Sequence, residues 1–272
     1  MSTGLEINYD AWILTVGNEL LIGRIVNTNA SQLGKMLTIM GFRVSRIMVV
    51  PDNIEEIAEE VRRAIGRVRL LVTTGGLGPT YDDLTLEAIA RALNRQLKVN
   101  PEAEAMIREF YSRRGMPMTR ERLKMAVMPE GARALKNPIG AAPGCVLEES
   151  GTIIISLPGV PEEMEVMFKS EASKILERVA PKISIVECSL TIKGVPESTI
   201  APAIESAARK YPEVYVKSHP KGFELGAPVL DVRALASDID RESAEAAALE
   251  ALAHVKQEAV KLGGRTDEAH CG

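Results

Sequence analysis

Cysteine is scarce in this chain: Cys145, Cys188 and Cys271 are the only three, far apart, odd in number and without a C-x-x-C pair. That excludes a thiolate zinc site and a disulfide framework as expectations, and it makes a reducing cytoplasm the expected setting. No apolar run approaches the roughly 20 residues that span a bilayer; the longest candidate, Thr152–Leu157, is strand-sized. Residues 1–10 carry neither a basic n-region nor an apolar core, so no secretory leader and no membrane association are expected. Charge of one sign is lacking too. A net charge of −4 argues against bulk affinity for DNA or anionic lipid, while leaving room for a local anion pocket. What remains is ordinary globular material. The 272 residues are 46% hydrophobic and 26% charged, enough for one large domain and a small one.

Strand and helix signals alternate through the first hundred residues. Ala11–Val16, Val44–Val50 and Leu70–Thr74 read as buried strands. Between them, Asn29–Met40 has apolar residues at helical spacing and stops at Gly41, and Asn53-Ile54-Glu55-Glu56 has capping-box spacing ahead of a stripe of Ile57, Val61 and Ile65. Leu84–Leu93 continues the pattern, which predicts a mostly parallel α/β sheet with helices on its faces. Two further helices are expected over Glu102–Arg114 and Thr119–Ala126. A hairpin is expected where Cys145–Glu149 and Thr152–Leu157 flank Ser150-Gly151, and a helix from Pro161 to about Val179. The register changes at Ala180-Pro181. Strand Ile183–Ile192, helix Ser198–Lys210, strands Val214–Ser218 and Val229–Ala236, and helix Asp240–Leu262 then form a small α+β domain. The last helix carries a stripe of Ala248, Leu252, Val255, Ala259 and Leu262. The domains are thus expected at 1–180 and 181–262, with a frayed tail over 263–272.

The strongest local signal is Thr73-Thr74-Gly75-Gly76-Leu77-Gly78-Pro79-Thr80-Tyr81-Asp82-Asp83-Leu84-Thr85, at the junction of a strand and a helix. Ligands collect at the carboxyl ends of strands in open α/β sheets, and Gly75, Gly76 and Gly78 let backbone N–H groups approach an anion closely. The segment is neither a P-loop nor a G-x-G-x-x-G fingerprint. Asp82 and Asp83 would repel a phosphate unless a divalent cation bridged them. Capping of the following helix is the structural alternative for either aspartate. A second candidate, Gly17-Asn18-Glu19-Leu20 through Asn27-Thr28-Asn29, should lie on the same rim, where Asn18, Asn27 and Asn29 suit a sugar or base edge. Helix capping by Thr28 or Asn29 explains part of it but leaves Glu19 unexplained. Asn137 to Gly144, with Gly140 and Gly144, and Leu157 to Glu162, with Pro158 and Gly159, are small-residue loops at strand ends; Arg133 and Lys136 are nearby positive charges.

Elsewhere the chemistry is sparse. His219, His254 and His270 lack metal-ligand spacing, and Ser156 and Ser218 lack a nucleophile elbow. Cys145 reads as a small buried residue, and Met116, Met118, Met125 and Met128 as adaptable packing. Lys210, Lys217 and Lys221 form a basic run without a Gly-x-x-Gly clamp, so nucleic acid is not an expected partner.

Taken together, Gly17–Gly23 with Asn27–Asn29, Thr74–Thr85, Asn137–Gly144 and Leu157–Met164 closely resemble the CinA-like (competence/damage-inducible) family over about residues 10–180. The N-terminal region of that family is similar to the molybdopterin-binding domain of molybdenum-cofactor biosynthesis proteins. The resemblance implies a three-layer α/β/α fold, a ligand site on the glycine-loop rim, and a connecting second domain. Asp83-Leu84-Thr85 matches the Asp-x-Thr that serves metal-dependent nucleotide chemistry in the molybdopterin relatives. Asp82 stands where an Arg is common there, and Leu77 where Thr is usual. For the CinA-like branch the implied activity is metal-dependent cleavage of ADP-ribose-type pyrophosphates. Asp83 and Asp82 would hold Mg, Mn or Co, Gly75, Gly76, Gly78 and Thr80 would face the diphosphate, and Glu19 would orient water. The alternative is pterin or nucleotide binding without efficient catalysis. A homo-oligomer is implied, and nicotinamide mononucleotide deamidation is not expected, because the chain ends before an amidohydrolase domain.

Overall fold

The structure is a computed structural model describing residues 9–221 and 228–272. It divides into two compact units, the change along the chain falling between Pro181 and Lys182. In the first, β1 (Asp10–Val16), α1 (Asn18–Leu21), α2 (Thr28–Ile39), β2 (Arg43–Val50), α3 (Ile54–Ala64), β3 (Leu70–Thr74) and α4 (Thr85–Ala92) alternate as the hydrophobic pattern predicts. An excursion follows: β4 (Leu97–Val99), α5 (Pro101–Ser112), α6 (Arg120–Lys124) and β5 (Val127–Pro129). The chain then returns through β6 (Arg133–Leu135), β7 (Gly144–Glu149), β8 (Thr152–Leu157), α7 (Pro161–Met167), a π-helical turn over Phe168–Ala172, and α8 (Ser173–Leu176).

The main sheet has the order β2-β1-β3-β8-β7-β6, with β2, β1, β3 and β8 mutually parallel and β7 and β6 antiparallel. Every residue of β3 and β8 is buried, so both faces of the sheet are covered at its centre. Leu14, Leu71 and Ile154 pack with residues of α3, α4 and α5 on one face. Ile13, Val72 and Ile155 point the opposite way. There α2 is tied to β3 through Asn29 and Thr74, and Met167 of α7 lies against Gly144. The result is a three-layer α/β/α unit. Cys145 sits in this core, 1% exposed, and burial pushes its thiol up to about 12, which leaves it inert at neutral pH.

Local signals specify several elements closely. Asn53 caps α3, its Oδ1 accepting from the N–H groups of Glu55 at 2.9 Å and Glu56 at 3.2 Å. Ser150 (φ 48°) and Gly151 (φ 80°) both take the positive φ of a two-residue hairpin turn between β7 and β8. The short strands β4, β5 and β6 escape the hydrophobic pattern because each has only three residues, and β4 and β5 in addition find their partner in each other across the whole of α5 and α6.

The second unit is an antiparallel sheet of the order β10-β11-β9-β12, made from β9 (Ser184–Lys193), β10 (Val214–Pro220), β11 (Val229–Asp238) and β12 (Arg265–Thr266), with β13 (His270–Cys271) also on β9. It packs against α9 (Glu197–Lys210) and α10 (Arg241–Lys261). Ala248, Leu252, Val255 and Ala259 of α10 are buried, whereas Leu262, past its end, is exposed. Two expectations are corrected here. The segment 263–272 is not frayed: β12 and β13 both pair with β9, and Gly272 N–H donates to Glu187 O. That return places Cys271 directly opposite Cys188, and the two form a disulfide. Distance in sequence hides the pair, because nothing local to Cys271 marks the short strand that carries it to β9. Among the described residues no helix is long and apolar enough to cross a membrane.

Candidate functional site

Because β1, β2, β3 and β8 run parallel, the segments that follow them emerge on one edge: Gly17, Asp52, Gly75 and Pro158. They surround a cavity of about 440 Å³, within the size range of small-molecule sites. The glycine loop forms its floor. Gly75 (φ +100°) and Gly76 (φ +68°) adopt left-handed backbone, and a Cβ at either would collide, with the Val16 carbonyl and the Thr85 hydroxyl respectively. A Cβ on Gly78 would lie 2.7 Å from Asp83 Oδ2. Glycine here is therefore a packing requirement as well as a means of ligand approach.

Thr85, the first residue of α4, locks the loop. Its hydroxyl donates to the Gly75 carbonyl at 2.8 Å and its N–H to the Gly76 carbonyl at 3.2 Å. Gly75 N–H goes to Leu157 O. Among the described residues nothing accepts from the N–H groups of Gly76, Leu77 or Gly78, although all three residues line the cavity. Backbone donors this close to the core are normally matched, so three consecutive N–H groups without a protein acceptor are available to a ligand.

The acidic pair stands at the end of that floor. Asp82 and Asp83 do not cap α4, whose N-cap position is Leu84 with no side-chain bond. Both carboxylates turn back on Thr80: its hydroxyl lies 2.5 Å from Asp82 Oδ1 and 2.5 Å from Asp83 Oδ2, and its N–H donates to Asp83 Oδ2 at 2.8 Å. One hydroxyl proton thus serves two carboxylates. The Thr80 hydroxyl, then the aspartate's own backbone N–H, hold the Asp82 carboxyl below the usual carboxylate range, with Lys124 adding its charge.

Glu19, Gly75, Gly76, Gly78, Thr80, Asp82, Asp83, Pro158 and Gly159 all line this cavity. Asn18, Asn27, Asn29, Gly140 and Gly144 do not, and the structure gives most of them other work. Asn27 caps α2 in place of Thr28 or Asn29, its Oδ1 accepting from Ala30 N–H at 3.1 Å while its Nδ2 donates to Thr15 Oγ1. Asn29 is buried and donates to Thr74 Oγ1 at 3.0 Å and to Gly159 O at 2.9 Å, fastening α2 to β3 and to the loop after β8. Asn18 offers its N–H to Asp52 Oδ2 at 2.9 Å. Gly140 N–H donates to Asn137 Oδ1 at 2.7 Å, and Gly144 opens β7, packed against Ser156 O. Arg133 and Lys136 lie outside the cavity wall.

Sequence reasoning missed Asp52, Glu163 and Lys124. Asp52 follows β2 as Gly17 follows β1, so the parallel pairing was the signal that would have found it. Glu163 accepts from Asn137 Nδ2 at 2.6 Å, a bond that joins two segments 26 positions apart in sequence. Lys124 ends α6 and donates from Nζ to the Thr80 carbonyl.

Residues 12–178 match the family described as a probable molybdopterin binding domain. A protein of Aeropyrum pernix is 55% identical over 264 residues, covering 97% of this chain and 98% of that one. One from Pyrobaculum aerophilum is 49% identical over 236 residues, covering 87% and 89%. Among solved structures, the CinA protein of Thermoplasma acidophilum, described as of unknown function, is 43% identical with a TM-score of 0.59, covering 62% of this chain and 98% of that one. The matched span takes in all six strands of the main sheet except the first two residues of β1, and every residue that lines the cavity. The chain belongs to the molybdopterin-binding-domain family, among its CinA-like members.

Proposed function

We propose that the first unit binds a phosphorylated pterin or nucleotide, with the anionic group laid over the N–H groups of Gly76, Leu77 and Gly78. The observation that carries this reading is the row of three unclaimed backbone donors on the floor of a cavity of about 440 Å³, at the carboxyl edge of a parallel sheet. The family's description as a probable molybdopterin binding domain supports the same ligand class.

A divalent cation belongs to the proposal. Glu19, Asp52, Asp82, Asp83 and Glu163 line the cavity, which would repel a bare phosphate. Asp82 Oδ1, Asp83 Oδ2 and Thr80 Oγ1 lie together, and an all-oxygen set fits a hard cation such as Mg or Mn. Among the described residues no three acidic, histidine or cysteine side chains converge on one point. The pair would therefore share the cation with ligand phosphate oxygens and water, as magnesium commonly does. The cation would screen phosphate charge; Asp82 and Asp83 would hold it, and Thr80 would orient both carboxylates.

Cleavage of a diphosphate such as ADP-ribose is a second reading, favoured by Glu19 lining the cavity with Asp83. Self-association belongs to the proposal as well, supported by the exposed side chains of Ile22, Ile25 and Val26 between α1 and α2. Calorimetric titration with AMP, ADP-ribose and a phosphorylated pterin, with and without Mg or Mn, tests the reading. Saturable binding that requires the cation and is lost in Asp83→Asn is expected. Absence of binding to all three would overturn the proposal, and release of AMP from ADP-ribose would move it to the hydrolytic reading.

A further inference from the structure

On the other flank of the glycine loop lies a cleft of about 110 Å³. It shares Gly76, Leu77, Gly78, Asp83 and Met125 with the main cavity, so the loop is a wall between two spaces. Its remaining walls are mostly apolar, apart from Glu87 and Lys124. Across both spaces, and among the described residues, Lys124 is the one basic side chain, against the five carboxylates of the main cavity.

The position of Lys124 is built in. Thr119 caps α6 by accepting from Arg122 N–H at 3.3 Å, and Met125 and Ala126, the residues immediately after Lys124, are buried in the core. The helix end is thereby pinned and the lysine stem directed along the loop. Its ammonium has a neutral partner, the Thr80 carbonyl, one residue beyond the Gly78-Pro79 step and next to the Asp82–Asp83 pair. An anionic phosphate oxygen adds to that hydrogen bond a Coulomb attraction for the ammonium that a neutral carbonyl does not offer. A four-carbon stem permits the exchange of partners without moving the backbone.

Resting on the reading that the cavity takes a phosphorylated ligand, we infer that Lys124 is the specificity-determining residue that selects phosphorylated over unphosphorylated ligands, its ammonium leaving the Thr80 carbonyl for a ligand phosphate oxygen. The glycine-loop N–H groups and the acidic pair hold one side of the phosphate; Lys124 reaches it from the far flank of the loop. A ligand without phosphate gains nothing from the lysine and meets the same carboxylates.

The full chain and its Lys124→Met and Lys124→Arg variants are titrated with AMP, inorganic diphosphate and adenosine in the presence of Mg, at low and high salt. Lys124→Met is expected to lose about tenfold or more in affinity for AMP and diphosphate, about the effect of one charge-assisted contact. It should keep adenosine affinity unchanged and show a flatter salt dependence, with Lys124→Arg close to wild type. Equal loss for AMP and adenosine would mark a structural role and overturn the inference, as would undiminished AMP binding in Lys124→Met. Should Lys124→Met fail to fold, Lys124→Gln is read by the same criteria. A wild-type chain that binds neither these probes nor ADP-ribose nor a phosphorylated pterin overturns the underlying reading and this inference with it, whereas wild-type binding with no effect of Lys124 overturns the inference alone.

Discussion

A methyl group added at Gly76 would fall on the Thr85 hydroxyl, on a backbone whose φ of +68° already disfavours any side chain. The left-handed conformation costs an L-residue about 1–2 kcal/mol. Displacing Thr85 would also leave the buried Gly75 carbonyl without its partner, at about 1–3 kcal/mol. Gly76→Ala is therefore expected to destabilise the first unit by about 2–5 kcal/mol in denaturant unfolding and to abolish ligand binding. Gly151→Ala, where φ is +80° but nothing lies within 4 Å of the added carbon, isolates the backbone cost, about 1–2 kcal/mol. A ratio near one between the two variants would contradict the locking role given to Thr85. At this scale the sequence was informative where chemistry is local. The Asp83-x-Thr85 spacing and the clustered glycines announced a loop against a helix start. It misled where partners are remote: Asn29 has the chemistry of a ligand residue, yet its amide is spent on Gly159, 130 positions away.

Elements with signals inside their own few residues were legible. Asn53 ahead of α3 and Ser150-Gly151 between β7 and β8 each specify a conformation without help from the rest of the chain. Strands of two or three residues carry no such signal, which is why β4, β5, β12 and β13 were invisible; their existence depends on a partner strand already in place. The C-terminal strands also show how one missed element conceals another. With 263–272 read as frayed, nothing brought Cys271 to Cys188, although the bridge spans 83 positions and closes most of the second unit into a loop. In the chain-entropy account such a loop contributes about 4–5 kcal/mol. Reduction, or Cys271→Ser, is expected to lower the denaturant midpoint of the second unit substantially and leave that of the first unchanged. Unfolding followed with and without dithiothreitol checks this: the Cys271→Ser chain should be insensitive to reductant, and an equally insensitive wild type would deny the disulfide any part in stability.

For the molecule as a whole, strand–helix alternation gave the parallel sheet and the small α+β unit, because periodicity reports which faces are buried. It could not report which loops meet. The order β2-β1-β3-β8 aligns the ends of four strands that lie between Val16 and Leu157 in sequence, and only that order brings Asp52 and Glu163 to the wall that Glu19 and Asp83 share. Every residue lining the cavity belongs to the first unit, the span that matches the molybdopterin-binding-domain family. The account therefore places ligand recognition in the first unit, on three peptide groups. Amide proton and nitrogen shifts of the ¹⁵N-labelled chain, followed as AMP and Mg are titrated in, test this most directly. The account predicts saturable downfield proton shifts at Gly76, Leu77 and Gly78 that exceed those anywhere in the second unit. Saturable binding that leaves these three amides unshifted would contradict it.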